Sequence, residues 1–275
     1  MTHCKRGLVA GILFLAVALR PAAAVSGPFE DGVEAYGSGD YATALRLWRP
    51  LVEQGHAGAQ FNLGIMYGNG RGVPQDYAEA GKWFGLAAEQ GDAEAQYNLG
   101  VMYDNGQGVP QDYAEAAKWY RLAAEQGHAG AEYNLGYMYD EGRGVPQDYV
   151  QAVKWYRLAA GQGFAGAQTN LGLMYSHGRG VPQDYAQAVK WYRLAAEQGV
   201  AYAQANLGGM YLEGLSVPQD NVQALMWFNL AVSRLPPGEY RDTAVKYRDF
   251  VAELMTPAQI AEAEKLEREW LQKWL

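Results

Sequence analysis

The side chains able to do chemistry are few and scattered. Past the first residues the histidines are His56, His128 and His177, and none belongs to an H-E-x-x-H pair or a His/Cys cluster. The one cysteine, Cys4, lies at the extreme N-terminus. No serine sits in the G-x-S-x-G setting that would expose a nucleophile. Glycine-rich loops such as Gly106-Gln107-Gly108-Val109-Pro110 follow no predicted strand and lack the Lys-Ser/Thr of a phosphate cradle. Paired carboxylates such as Asp76/Glu79 stand where helices are predicted to begin, and capping accounts for them. No catalytic residue, metal site or cofactor is expected, and the chemistry left to the chain is recognition.

The elements that would position a recognition surface come in copies. Shifted by 36 residues, the sequence falls on itself. Asn-Leu-Gly recurs from Asn62 to Asn206, Val-Pro-Gln-Asp from Pro74 to Pro218, and a tryptophan at Trp83, Trp119, Trp155, Trp191 and Trp227. A fixed period of this length is the mark of a solenoid of stacked supersecondary units. In the copy from Asp92 to Gly127, Ala95, Leu99 and Met102 follow a helical spacing and form one apolar face. Gly100 lies on that side, which predicts that another helix approaches closely there. Gly106 and Pro110 end this helix. Asp112 with Glu115 predicts a capping box for the next one, whose buried residues are expected to be Ala116, Trp119, Tyr120 and Ala123.

Charge and leader narrow the partner. Lys5 and Arg6, an apolar run from Gly7 to Leu19 and Ala22-Ala23-Ala24 compose a secretory signal peptide over residues 1–24. Cleavage after Ala24 would take three basic side chains and no acidic one, moving the formal charge from −8 to −11. Retention as an anchor is the alternative. The mature chain would hold no thiol, which suits a periplasmic or secreted protein. An acidic chain without a basic stripe excludes nucleic acid and anionic membrane surfaces as partners. No membrane span is expected after cleavage.

The chain therefore reads as a leader over 1–24, a degenerate first repeat over 25–55, five full repeats over 56–235 and capping helices over 236–275. The last part holds helices predicted at about Glu239–Met255 and Pro257–Trp274. A stripe of Ile260, Ala263, Leu266, Trp270 and Trp274 is expected to cover the open end of the core.

A-x-x-x-L-G-x-M-Y, then G-x-G-V-x-x-D, then A-x-x-W-Y-x-x-A-A-x-x-G at this period resembles the Sel-one-like repeat, a relative of the tetratricopeptide repeat. The resemblance covers about residues 28–235. It implies an all-α, right-handed α/α superhelical solenoid of helix hairpins, acting as a protein-interaction scaffold. Secreted bacterial relatives are implicated in envelope polysaccharide export, sensor-kinase regulation and host interaction. Cysteine-rich relatives have been described as β-lactamase-like, and a hydrolase role is set aside here because those cysteines are missing.

The resemblance also implies that the first helix of each repeat lines a concave groove. The positions of that helix that vary between copies are spaced 3, 4 and 3 apart, one helical face. They supply the candidate partner-binding set: Phe61, Ile65, Glu94, Tyr97, Val101, Asp104, Tyr133, Tyr137, Asp140, Thr169 and Leu173, with His177 at the edge. Tyrosine offers rigid amphipathic contact area for an extended segment. The carboxylates favour a neutral or basic partner, protein or peptide, and the tyrosines would also suit a glycan. The alternative for the aromatics is packing against the next repeat. The repeated asparagines beside this face either bond a partner's backbone, as the resemblance suggests, or hold the loop between helices.

Overall fold

The computed structural model describes residues 27–273. The leader expected over 1–24 and Trp274 of the expected stripe lie outside the described residues. Those residues form fourteen α-helices and no strand. They divide into two compact units between Gln147 and Asp148. The first holds α1 (Pro28–Gly37), α2 (Tyr41–Glu53), α3 (Ala57–Asn69), α4 (Tyr77–Glu89), α5 (Ala93–Asn105), α6 (Tyr113–Glu125) and α7 (Ala129–Glu141). The second holds α8 (Tyr149–Gly161), α9 (Ala165–His177), α10 (Tyr185–Glu197), α11 (Ala201–Glu213), α12 (Asn221–Arg234), α13 (Glu239–Glu253) and α14 (Pro257–Gln272). In the first unit α1 packs on α2, α3 on α4 and α5 on α6 as hairpins, and α4 and α6 pack on the helix that follows. The second unit repeats the scheme through α8 to α12. Helices packed mainly on their neighbours in the chain are the mark of an all-α solenoid.

Within each unit the repeat hairpins close on one glycine and one ring. Ala95, Leu99 and Met102 are buried on α5, and Tyr120 on α6 is fully enclosed. A Cβ added at Gly100 would stand 2.7 Å from Tyr120 Cδ1, so the close approach anticipated there is made by the ring of α6. The expectation for α6 needs one correction. Tyr120 takes the core position while Trp119 is only half-buried, because the position after the tryptophan points at the glycine. Phe84 against Gly64 and Tyr192 against Gly172 repeat this pairing. The first hairpin follows the same plan, with Trp48 pressed on Gly32.

The loops are built from caps and a side-chain clamp. Asp112 Oδ1 accepts from the amides of Ala114 at 2.9 Å and Glu115 at 3.0 Å. Glu115 does not close the expected box; its carboxylate pairs with Lys118 instead. Gly106 ends α5 in the left-handed region at φ 68°. Gly108, at φ 71°, lies so close to the start of α4 that an added Cβ would stand 2.3 Å from the Tyr77 carbonyl carbon. Gln111 Nε2 donates to the Asp104 carbonyl at 2.7 Å. Gln75, Gln147, Gln183 and Gln219 make the same bond to the carbonyls of Gly68, Asp140, Ser176 and Leu212. The loop is therefore held by the glutamine of Val-Pro-Gln-Asp and not by the repeated asparagine. Asn98 Nδ2 bonds within its own helix, to the Glu94 carbonyl at 2.8 Å.

A second glutamine ties hairpin to hairpin. Gln96, buried, donates to the Ala88 carbonyl of α4 at 3.0 Å and accepts from Gln126 at 2.8 Å. Gln168 does the same between Ala160 and Gln198. At the C-terminus both α13 and α14 pack on α12. Thr256 and Gln259 form the expected capping box of α14. Ala263 and Trp270 are buried, and Trp270 meets Trp227 edge-on with ring centroids 6.4 Å apart. The stripe covers the last helix of the repeats.

Candidate functional site

The twelve positions of the candidate face do not share one environment. Phe61 and Ile65 are each 7% exposed, Asp104 and Thr169 each 5%. The expectation that these four belong to a partner-binding surface is corrected: they are buried packing residues. Phe61 on α3 leans on Phe84, 5.7 Å between centroids. Thr169 Oγ1 donates back to the Ala165 carbonyl at 2.9 Å. Val101, Tyr97, Tyr133, Tyr137, Asp140 and Leu173 are half-buried and His177 is exposed.

In the first unit the structure brings several of these residues together across repeats. Tyr97 of α5 stacks on His128 at 4.3 Å, and Gly130 in the first turn of α7 makes room for it. His128 Nδ1 accepts from the Ala131 amide at 3.0 Å, capping α7. That fixes the proton on Nε2, which lies 3.4 Å from Glu94 Oε2. The bond to His128 holds the Glu94 carboxyl below its usual range, against burial. Burial pushes the Tyr97 phenol up.

Asp104 forms the second junction. It sits in the last turn of α5, where the helix carbonyls disfavour a carboxylate. Burial raises its carboxyl, and Arg143 from the loop after α7 opposes the rise. Arg143 Nη2 lies 3.1 Å from Asp104 Oδ1, an ion pair whose angles fall short of a hydrogen bond. The guanidinium rests on the Tyr113 ring, 4.1 Å from its centroid, and also touches Tyr137. Asp104, Tyr137 and Arg143 thus form one cluster, with Tyr133 and Asp140 on the same helix as Tyr137.

In the second unit His177 Nδ1 lies 3.0 Å from the Leu173 carbonyl and 2.9 Å from Ser176 Oγ. This is not a nucleophile with its base. Ser176 is buried, and its hydroxyl donates to the same carbonyl at 3.0 Å. Among the described residues no group of three or more His, Cys, Asp or Glu could hold a metal ion. No described helix is long and apolar enough to cross a membrane.

Sequence reasoning passed over the buried glutamines and the loop glutamines. Their signal was present as repetition: the loop glutamine is the same in all five copies and the buried one in four, with Glu132 in the third, and a polar residue so repeated marks a hydrogen bond the packing uses.

Hairpins that share one glycine–ring contact, one loop clamp and one inter-hairpin glutamine define an α-helical repeat protein of the solenoid class. The chain belongs to the Sel1 repeat family, which matches residues 57–92, 93–128, 129–164, 165–200 and 201–234. A Sel1 repeat protein from Oxalobacter formigenes is 35% identical, with a TM-score of 0.76 over 89% of this chain and 98% of that one. A protective antigen present in uropathogenic Escherichia coli strains, with an SLR fold, is 38% identical with a TM-score of 0.76 over 90% of this chain. The match takes in 53% of that antigen, so this chain spans about half its length. No match was found among curated proteins. Sel1 repeat proteins generally act as protein–protein interaction scaffolds.

Proposed function

We infer that this chain is a non-catalytic scaffold of the bacterial envelope, periplasmic or secreted, that binds an extended neutral or basic segment of another protein along its first helices. The carrying observation is the outer part of α7. Tyr133, Tyr137 and Asp140 each keep part of their surface in solvent. Glu94, with its carboxylate group about half exposed, adds negative charge on the neighbouring first helix. The leader pattern of residues 1–24 supports export. The division into a first cap over 25–55, repeats over 56–235 and capping helices over 236–275 belongs to the same proposal.

A photo-crosslinking residue placed at Tyr133 in the intact cell tests it, with Lys118 on the opposite helix of the neighbouring hairpin as control. A discrete crosslinked protein from position 133 and none from 118 is the expected result. Crosslinks from 118 alone would move the binding face to the second helices. Crosslinking to envelope polysaccharide in place of protein would replace the scaffold by a glycan-binding module, which the same tyrosines would serve.

A further inference from the structure

The fifth repeat departs from the others at the two positions that fill the candidate face. Earlier first helices carry Phe61 and Ile65, Tyr97 and Val101, Tyr133 and Tyr137, and Thr169 and Leu173; α11 carries Ala205 and Gly209. A Cβ added at Gly209 would meet nothing within 4 Å. The vacated space is a cavity of about 340 Å³ lying wholly in the second unit, with α11 on one side and Tyr240, Thr243, Ala244 and Tyr247 of α13 on the other.

Its walls are aromatic and held in place. Phe228 stacks on Tyr247 with centroids 5.9 Å apart, and the Tyr240 hydroxyl donates to Asn206 Oδ1 at 3.1 Å. Several of its polar groups present acceptors. Thr243 and Ser176 spend their protons on the Glu239 and Leu173 carbonyls. His177 carries its proton on Nδ1, toward Leu173, which leaves Nε2 as an acceptor. Glu213 is the one lining residue with a formal charge, and no lysine or arginine lines the cavity. Among the described residues Glu213 has no ion-pair partner.

Aromatic faces attract a cation through the negative face of the ring, and an unpaired carboxylate at the rim adds direct charge attraction. The volume stands at the low end of the ~300–1,000 Å³ of small-ligand pockets, room for one side chain but not for a folded element. We propose that this cavity receives the basic side chain, arginine or lysine, of the bound segment, which rests on the reading that such a segment binds here.

The test uses the full chain, isotope-labelled for NMR, and a Gly/Ser peptide carrying a single arginine. The same peptide with citrulline, which keeps the shape and loses the charge, is the comparison. The arginine peptide should shift the resonances of Gly209, Tyr240 and Tyr247, and the citrulline peptide should bind roughly tenfold more weakly, the scale of a desolvated cation–π contact. Gly209→Leu fills the cavity from a helical glycine with open space before it. It should abolish the shifts while keeping the fold, as judged by the remaining spectrum. Glu213→Gln should weaken binding several-fold and flatten its salt dependence. Equal binding of arginine and citrulline peptides, binding retained in Gly209→Leu, or no shift from the arginine peptide would each overturn the proposal. Crosslinking from Tyr133 would be untouched by any of these, so the broader reading fails or stands separately.

Discussion

Two glycines at neighbouring places in the repeat make opposite predictions for one substitution. Gly100 and Gly209 both lie inside first helices, α5 and α11. Replacing a helical glycine by alanine gains ~1 kcal/mol in propensity at either site. At Gly209 nothing opposes that gain. At Gly100 the new methyl would stand 2.7, 2.8 and 3.2 Å from Cδ1, Cε1 and Cγ of Tyr120, where comfortable carbon contacts lie at ~3.5–4.0 Å. The ring is fully enclosed and has no space to retreat into. Overpacking of this kind costs ~1–3 kcal/mol. Propensity cancels in the difference between the two variants, so their separation measures the overpacking alone. Gly209→Ala should stabilise by ~1 kcal/mol, and Gly100→Ala should fall ~1–3 kcal/mol below it. Urea unfolding followed by circular dichroism at 222 nm gives both midpoints, and repeating Gly100→Ala beside Tyr120→Leu should recover most of the loss. If both alanines stabilise alike, the glycine–ring contact does not shape the hairpin and the account of its packing fails.

Three further outcomes follow from the geometry. Tyr120→Ala should destabilise by ~3–5 kcal/mol and cost more than Trp119→Ala, despite the smaller ring, because only the tyrosine is fully buried; denaturant midpoints rank the two. Gln111→Ala, which removes the clamp on the Asp104 carbonyl, should cost ~0.5–1.5 kcal/mol and speed amide exchange in the loop from Gly106 to Asp112. Asp104 tests the electrostatics. Its folded carboxyl is raised, so its contribution to stability is fully present below the ordinary value of 3.8 and is lost as pH rises through the folded value. The stability of the native chain relative to Asp104→Asn should therefore decline with rising pH and then level off. A difference that grows with pH would show that Arg143 outweighs burial.

The hairpins, their caps and their order were legible because the 36-residue period repeats every local signal five times. Asp112 before a helical run, Gly106 after one and Gly100 inside one each have a single physical use, and the structure gives them that use. The tryptophan and tyrosine of α6 were harder to separate. Both are large and apolar and one residue apart, and only the direction of Gly100 decides which is enclosed. Glu115 was read as a cap and is an ion-pair partner, since a carboxylate in the first turn suits either. The candidate face was the least legible part, for a reason that lies in solenoids themselves.

Variation between copies, the signal behind the candidate partner-binding set, has a second source. In a stack, a varying position borders the next repeat's varying position, and the two can trade volume. A Cβ at Gly58 would stand 2.9 Å from Phe29 Cζ, and one at Gly130 would stand 3.2 Å from Tyr97 Cε2. Large in one repeat meets small in the next, so both columns change while the surface between them stays filled. Tyr36 and Asp104 show the same trade in polar form. They occupy equivalent places, and each meets an arginine from the following loop, Arg71 at 3.2 Å and Arg143 at 3.1 Å. The compensation needs a following repeat, and after α11 there is none. Tyr202 finds Tyr240 of α13, 4.7 Å between centroids, but beside Ala205 and Gly209 a cavity stays open between α11 and the rings of α13. A capping helix is not a copy of the repeat and is not bound to its volume rule. An open cavity therefore survives where copying stops, and that is where a foreign side chain has room to enter.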